Sequence, residues 1–306
     1  MDQITSAIHA FLEGKLVGLP TETVYGLAAP YNQTELIKKI FSIKERPLFD
    51  PLIVHVSQTE QAKSLVKNWC LDSEKLSKAF WPGPLTIVTE KSEKIDDLIT
   101  SGLDTVAIRC PEHPVALDFL NRLNCPVVAP SANKFKKTSP TQKIHVTQAF
   151  SEEEVFCLEG GESKVGIEST IVKILGSNKI AILRPGMILK DEIEALGFEV
   201  VETEQTGIEA PGNMEDHYMP EKNLFLFSSK NREKLDNHLF TEKLQSYSKI
   251  QISNSPHLAA RELYSSLRET TAEDCMIIEI SEEQKTSELW VPIIDRLKKA
   301  ASKSFL

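Results

Sequence analysis

Strand-like and helix-like segments alternate regularly after residue 220. The strand-like runs are NLFLFS, KIQIS and CMIIEI, and helical patterns cover residues 230–246, residues 256–270 and a stretch that ends near Ala301. A helix between two strands returns the chain to the edge of the sheet where the first strand began, so successive strands run parallel. This part of the chain is therefore predicted to form a small, Rossmann-like parallel α/β domain.

The first 200 residues show a different pattern, in which helices and strands mix without a simple period. Apolar residues at Ile4, Ile8 and Phe11 predict an amphipathic opening helix, and LVGL then reads as a short strand. This mixing predicts an α/β domain with a twisted mixed β-sheet covered by helices. Residues 202–220 lack periodicity and carry two Pro and two Gly residues, which is typical of a linker.

The predicted organisation is therefore a first domain over residues 1–203, a linker over 204–220 and a second domain over 221–306. The formal net charge of -9 disfavours a protein that coats nucleic acid nonspecifically, although a local basic cleft remains compatible with it. The five cysteines are scattered without zinc spacing, so we expect reduced thiols and no metal site. Neither a signal peptide nor a membrane span is evident, so a cytoplasmic protein without a membrane partner is expected.

The common local signatures of nucleotide enzymes and hydrolases are absent from the sequence. It contains no Walker A loop, no GxGxxG turn, no GxSxG elbow, no HExxH helix and no EF-hand loop. What remains is a set of polar clusters beside short β-like runs. Ligands in α/β proteins gather at strand ends, so several such clusters together indicate a binding site.

The first two clusters lie in GLPTETVYGLAAP and KERPLFDPLIVH. In the first, Thr23 and its polar neighbours precede Gly26, which is also the pattern of a plain turn after a strand. In the second, Lys44 and Arg46 stand at a predicted helix end, where they can bind phosphate or complement the helix dipole. His55 falls within an apolar run, which suits either a core residue or a ligand contact.

Three further clusters lie in DTVAIRCP, PVVAPSANKFKKTSPTQ and the pair GIESTIVKI and ILRPG. Arg109 ends a strand, where its planar fork suits either carboxylate recognition or a salt bridge. Ser131 and Asn133 follow a strand among hydroxyls and lysines, as in a phosphate site or a solvated loop. Ser169 and Arg184 lie at the ends of neighbouring strand-like runs, and each alone is a weak signal.

Seven short segments together resemble the YrdC-like threonylcarbamoyl-AMP synthase family. They occur in family order over about residues 5–197, and they are GLPTETVYGLA, KERPLFDPLIVHV, FWPGPLT, VAIRCP, PVVAPSAN, GIESTIV and ILRPG. The linker and the alternating tail resemble the longer, two-domain branch of that family. The resemblance implies a nucleotidyltransferase that converts ATP, L-threonine and bicarbonate into L-threonylcarbamoyl-AMP and pyrophosphate. That product feeds the t6A modification at position 37 of tRNAs reading ANN codons.

The resemblance also implies roles for particular residues. L-Threonine is expected to bind five side chains, with its carboxylate on the arginine: Thr23, His55, Arg109, Ser131 and Ser169. Lys44 and Arg46 are expected to act in catalysis by holding the triphosphate, together with Ser131 and Asn133. The remaining ATP contacts are expected from Asp50, Thr105, Ala129, Ser139, Arg184 and Tyr218, with Tyr218 letting the linker close over the site. Mg²⁺ is expected with the phosphates, and no organic cofactor is expected.

Two departures from the family pattern concern ATP. Position 50 is Asp where the RPxxNPL pattern has Asn, which puts a negative charge near the nucleotide, and the linker reads NMED where some relatives carry Lys, Tyr and Arg. The expected partners beyond the substrates are the downstream t6A transferase machinery and tRNA. The alternative function is a noncatalytic double-stranded RNA- or tRNA-binding protein of the same fold, which the acidic balance disfavours. A carbamoyl-transfer domain of the hydrogenase-maturation type would need accompanying segments that the sequence lacks.

Overall fold

The computed structural model describes residues 1–202, 211, 217–269 and 272–306. The chain divides into two compact units. The first unit comprises Met1–Phe135 and Pro140–Asn213, and the second comprises Lys136–Ser139 and Met214–Leu306. Most of the predicted linker, including its NMED stretch, lies outside the described residues.

The first unit contains eight helices and ten strands within its described residues. The helices are α1 (Gln3–Leu12), α2 (Thr34–Lys44), α3 (Thr59–Lys63), α4 (Leu71–Phe80), α5 (Asp97–Thr100), α6 (Pro114–Leu123), α7 (Lys143–Ala149) and α8 (Lys190–Glu194). The strands are β1 (Leu16–Leu19), β2 (Gly26–Pro30), β3 (Ile53–His55), β4 (Leu85–Glu90), β5 (Thr105–Arg109), β6 (Val127–Val128), β7 (Val155–Cys157), β8 (Thr170–Gly176), β9 (Lys179–Arg184) and β10 (Glu199–Val200).

These ten strands form one mixed sheet in the order β10-β9-β8-β4-β5-β3-β6-β2-β1-β7. Neighbours are parallel at β3/β5 and β4/β8, for example, and antiparallel at β4/β5 and β8/β9. The prediction of a mixed sheet covered by helices is confirmed. Its irregular order explains why the sequence showed no simple alternation.

The opening helix illustrates how the sequence produces the packing. Asp2 caps α1 by accepting a hydrogen bond from the Thr5 N–H at 2.9 Å, and the apolar residues at helical spacing bury Ile4 and Phe11. Phe11 then contacts Phe119 of α6 edge-on, with ring centroids 5.9 Å apart. This contact joins α1 to α6 within the main apolar core of the first unit.

The second unit contains a four-stranded sheet in the order β12-β13-β11-β14, and every neighbouring pair is parallel. Its elements are β11 (Asn223–Phe227), α9 (Arg232–Thr241), β12 (Tyr247–Lys249), α10 (Pro256–Arg268), β13 (Cys275–Glu279), α11 (Glu282–Thr286), α12 (Val291–Ala300) and β14 (Lys303–Phe305), with 3₁₀ turns at Ser229–Asn231 and Glu288–Trp290. The predicted parallel α/β domain is confirmed. Within the described ranges, no helix combines the length and apolar character needed to cross a membrane.

The strand register of the first unit gathers chemistry-bearing residues at one end of the sheet. His55 at the end of β3 pairs with Arg109 at the end of the parallel strand β5. Arg184 at the end of β9 pairs with Ile171 near the start of the antiparallel strand β8. Arg109 and Arg184, which are far from His55 in the sequence, therefore lie at the same end of the strands as His55.

Candidate active site

Alternation along β5 sends Thr105, Ala107 and Arg109 to one face of the sheet. A small apolar cluster covers that face, and it includes Ile53, Ala107 and Leu183. Four residue steps at about 3.3 Å place Thr105 about 13 Å from Arg109 along the strand. A single ligand that touches both residues must therefore be elongated.

Arg109 is the centre of a buried hydrogen-bond network. Its Nε donates to the Gly83 carbonyl at 3.2 Å, Nη1 donates to Thr23 Oγ1 at 2.8 Å, and Nη2 donates to Glu22 Oε1 at 2.5 Å. Both members of the Arg109–Glu22 ion pair are almost completely buried. The strand-end arginine thus has the partner that a buried guanidinium requires.

His55 lies beside this network and is neutral. Burial, with the positive charge of Arg109 adding to it, lowers the pKa of His55 from 6.5 to about 3. Its Nδ1 lies 3.3 Å from the Ile53 carbonyl, so the neutral ring can donate there from Nδ1 and keep Nε2 as an acceptor. The side chain is therefore suited to hydrogen bonding rather than to carrying charge.

The loop between β1 and β2 is fixed by its own threonines. Thr21 Oγ1 lies 2.9 Å from Thr23 Oγ1 and also contacts the backbone of Val24. A Cβ at Gly26 would lie 3.0 Å from the Ala129 Cβ, so a larger residue would have to push Ala129 aside by a few tenths of an ångström. Space between β2 and residue 129, rather than an unusual φ, explains this glycine.

Lys44 and Arg46 both hold neighbouring backbone carbonyls. Lys44 Nζ donates to the carbonyls of Ser131 and Asn133, and burial, reinforced by Arg46, lowers the pKa of Lys44 well below its usual value. Arg46 donates to the carbonyls of Asp50 at 3.2 Å and Pro51 at 2.8 Å. The KxR pair therefore ties together two loops that the sequence singled out separately.

Asp50 is also part of the KxR cluster. One carboxylate oxygen of Asp50 lies 2.9 Å from Arg46 Nη2, so the two side chains form an ion pair. Their geometry does not meet the criteria for a hydrogen bond. Burial raises the pKa of Asp50, while the neighbouring cations Arg46, Lys44 and Arg184 oppose that shift. The departure from Asn thus adds a buried carboxylate among cations.

A third group forms around Ser169. Its Oγ lies 2.7 Å from Thr86 Oγ1 of β4 and accepts a hydrogen bond from Arg184 Nη2 at 3.1 Å. Arg184 also donates from Nε to the Ser169 carbonyl and from Nη1 to the Pro211 carbonyl, each at 3.1 Å. The register of β8 and β9 shifts next to the Ile171–Arg184 pair, and such a bulge re-aims a side chain.

The remaining predicted residues differ in position. Ser131 forms an isolated bridge with Gly26, and Ala129 packs beside it, so both adjoin the Thr23 loop. Ser139 and Tyr218 belong instead to the second unit, where Thr138 Oγ1 donates to the Tyr218 carbonyl at 3.2 Å. The structure thus brings most predicted residues together in the first unit, assigns these two to the second, and leaves Thr105 at the far end of β5.

Sequence reasoning missed Glu22, Thr21 and Thr86 as members of these networks. Glu22 lies within the PTET motif, where only its place beside Thr23 could have suggested a role. Thr86 sits in the run LTIVTE, where its position on the same face as Val88 follows from alternation. Neither signal identifies a partner more than 80 residues away, such as Arg109 or Ser169.

Many of these side chains are both charged and buried, which is unusual for a protein interior. In the described part of the first unit, all buried charged side chains lie in the motif segments: Glu22, Lys44, Arg46, Asp50, Arg109, Glu168 and Arg184. Charged residues are seldom buried unless they are paired or functional. The described residues include no group of three or more His, Cys, Asp or Glu side chains that could hold a metal ion. The site therefore combines four basic and three acidic side chains with hydroxyls, and its basic groups and hydroxyls can bind an anionic ligand.

The fold and site define a two-domain α/β protein whose first domain holds a buried site rich in charged groups and hydroxyls. A family model named Sua5_yciO_yrdC and described as "Telomere recombination" matches residues 9–186, and a second, described as "Threonylcarbamoyl-AMP synthase, C-terminal domain", matches residues 188–302. The chain belongs to the Sua5/YciO/YrdC family and to its two-domain branch. The resemblance inferred from the motifs is confirmed.

Relatives of this chain are named "Threonylcarbamoyl-AMP synthase". The Pyrococcus abyssi protein is 42% identical over 218 residues, which are 68% of this chain and 63% of that protein. The Bacillus subtilis protein is 40% identical over 195 residues, 63% of this chain and 56% of that protein. The matched region thus spans less than two thirds of either relative.

A solved structure resembles both units. The crystal structure of P. abyssi Sua5 complexed with L-threonine superposes with a TM-score of 0.88 at 33% sequence identity. The match covers 100% of this chain and 97% of that one. The fold prediction is thereby confirmed for both units.

Proposed function

We propose that this chain is a threonylcarbamoyl-AMP synthase, which forms L-threonylcarbamoyl-AMP, pyrophosphate and water from ATP, L-threonine and bicarbonate. The observation that carries this proposal is the concentration of all the described buried charges of the first unit in the motif segments around Arg109, Lys44 and Arg184. The names of the relatives and the L-threonine bound to the similar P. abyssi structure support it.

The amino-acid site is proposed at Arg109. Its Nη1 and Nη2 atoms each carry a second hydrogen beyond those given to Thr23 and Glu22, and a planar fork suits a carboxylate. Neutral His55 and the hydroxyls of Thr23, Ser131 and Ser169 complete the proposed contacts. Hydroxyls and a neutral imidazole suit the polar side chain of threonine because they can both donate and accept.

The nucleotide site is proposed at Lys44, Arg46 and Arg184. The carbamate oxygen of the amino acid must attack the α-phosphorus, so charge neutralisation and alignment contribute more than an acid–base pair. Lys44 and Arg46 would hold the triphosphate and favour departure of pyrophosphate. The other proposed ATP contacts are Asp50, Thr105, Ala129, Asn133, Ser139 and Tyr218.

Magnesium is proposed to enter with ATP as part of the substrate. The described residues offer no three-ligand cage, whereas Mg²⁺ is commonly held by substrate phosphates, water and one or two carboxylates. We also propose residues 1–203 as the catalytic domain, 204–220 as the linker and 221–306 as the C-terminal domain. The product would feed the t6A modification of tRNA through a transferase, and those partners imply a cytoplasmic location.

The test is pyrophosphate release by the purified chain supplied with MgATP, L-threonine and bicarbonate. We expect release to require all three and to be accompanied by threonylcarbamoyl-AMP, detected by mass spectrometry. Pyrophosphate release that is independent of threonine, or no release alongside tight tRNA binding, would refute the proposal. The second outcome would revive the RNA-binding alternative, which the names of the relatives do not favour.

A further inference from the structure

Glu22 is a buried carboxylate that uses only one of its two oxygens. Oε1 accepts the hydrogen bond from Arg109 Nη2, whereas Oε2 is buried and has no hydrogen-bond partner among the described residues. The side chain is 3% exposed, so water is not a ready substitute. A buried polar atom without a partner in a native protein calls for a specific explanation.

The Thr23 hydroxyl and the Val165 N–H, which lie close to Glu22, already serve other acceptors. The Thr23 hydroxyl accepts from Arg109 and adjoins Thr21 Oγ1, and the Val165 N–H donates to the backbone carbonyl of Glu22. Arg109 itself donates one hydrogen from each of Nε, Nη1 and Nη2. A guanidinium has five such hydrogens, so two N–H groups of Arg109 and one oxygen of Glu22 remain for a ligand.

These unused donors of Arg109 and the unused oxygen of Glu22 match the chemistry of an α-amino acid. The carboxylate of a zwitterion needs two donors, and its ammonium group, one carbon away, needs an acceptor, best a charged one. The Arg109–Glu22 pair has no net charge, and the zwitterion has none either, so binding leaves no uncompensated buried charge. A simple carboxylate would satisfy Arg109 and leave Oε2 without a donor.

We propose that Glu22 is a substrate-contacting residue of the amino-acid site. Its Oε1 positions Arg109 for the substrate carboxylate, and its Oε2 accepts a hydrogen bond from the ammonium group of the same molecule. The inference rests on the proposed function and adds a determinant that selects α-amino acids over acids without the amine.

The test compares L-threonine with (R)-3-hydroxybutanoate, the same molecule without its amine, on wild type and on Glu22→Gln. Glutamine can still accept from Arg109 through its amide oxygen but presents an NH₂ group in place of Oε2. We expect the affinity for L-threonine to fall about 10- to 100-fold, as for loss of one charge-assisted hydrogen bond. The inhibition constant of hydroxybutanoate, measured against pyrophosphate release, should stay equal or become tighter.

A matched control is Asp50→Asn, which neutralises another buried carboxylate paired with an arginine. Asp50→Asn should alter ATP kinetics and leave unchanged the ratio of the affinities for L-threonine and hydroxybutanoate. Equal weakening of both acids by Glu22→Gln would show that Glu22 only orients Arg109 and would overturn the ammonium contact. Unchanged threonine affinity would also overturn it.

A second variant covers the case in which hydroxybutanoate binds neither protein. Glu22→Asp keeps the negative charge, so it should recover part of the threonine affinity that Glu22→Gln loses, at matched melting temperatures. Equal loss in the two variants counts against the proposal. Wild type that fails to release pyrophosphate with threonine contradicts the proposed function itself, whereas an active wild type with an unaffected Glu22→Gln contradicts only this inference.

Discussion

Replacing Arg109 with alanine should raise the KM for L-threonine far more than the KM for MgATP. The guanidinium contacts Thr23, Glu22 and Gly83, and none of its hydrogen bonds involves Lys44 or Arg46. One charge-assisted hydrogen bond contributes about 1.5 to 3 kcal/mol, and each 1.4 kcal/mol is about tenfold in affinity. We therefore expect an increase of about 10- to 100-fold for threonine and of less than about 3-fold for MgATP.

The same substitution should also destabilise the fold. It leaves Glu22 as a buried carboxylate without its cation, and breaking a buried pair in this way costs about 3 to 5 kcal/mol. Adding Glu22→Gln to Arg109→Ala removes that charge, so the double variant should lose less stability than the sum of the single variants. Urea unfolding of the four proteins measures this coupling.

The kinetic assay is steady-state pyrophosphate release with one substrate varied while the others saturate. Arg122→Ala is a matched control, because Arg122 is a partly exposed arginine that pairs with Asp2 and Asp118 away from the site. It should change neither KM. Equal increases in both KM values for Arg109→Ala would refute the assignment of Arg109 to the amino-acid site. Additive stability losses in the double variant would refute the coupling between Arg109 and Glu22.

Three further predictions follow from other contacts. Lys44→Ala and Arg46→Ala should impair ATP affinity or turnover first, because these cations face the proposed triphosphate; unchanged ATP kinetics in the pyrophosphate assay would contradict this. Burial lowers the pKa of His55 in the folded chain to about 3, so between about pH 6.5 and pH 3 the unfolded chain binds a proton at this residue and the folded chain does not. The stability from neutral His55 is therefore present above pH 6.5 and lost as the pH falls towards 3, at up to about 1.4 kcal/mol per pH unit. His55→Asn should flatten that slope in urea unfolding at pH 7 and pH 5, and an unaltered slope would count against burial of the neutral ring. Arg268→Ala should cost about 1.5 to 3 kcal/mol, because its Nη2 donates to the Thr138 carbonyl within the second unit. Arg232→Ala removes a partly exposed ion pair and should lower the free energy of unfolding by less than about 1 kcal/mol. Similar losses of stability in Arg268→Ala and Arg232→Ala would contradict this expected difference.

The sequence predicted the second sheet well because its signal is local. Each strand-like run is separated from the next by a helical pattern, and the parallel pairing follows from that order alone. The ends of elements were predicted less well. The helix expected over residues 230–246 ends at Thr241, where Lys243 adopts a left-handed φ of 58° that terminates it.

The order of the large sheet could not be predicted, because its neighbours are remote in sequence. β4 pairs with β8, for example, although about 80 residues separate them. The assignment of Lys136–Ser139 to the second unit has the same origin: Thr138 and Met219 contact each other across more than 80 residues. Residue patterns report which face of an element is apolar, and they do not report which element covers it.

Asp50 shows how a contact can change the meaning of a sequence departure. From the sequence, an aspartate in place of asparagine simply adds a negative charge near a nucleotide. In the structure the carboxylate lies against Arg46, whose N–H groups are directed to the carbonyls of Asp50 and Pro51. The charge of Asp50 therefore offsets part of the positive charge of the neighbouring Arg46, Lys44 and Arg184. In the proposed nucleotide site, an asparagine at position 50 would leave more net positive charge, so we expect Asp50→Asn to strengthen the attraction for phosphate.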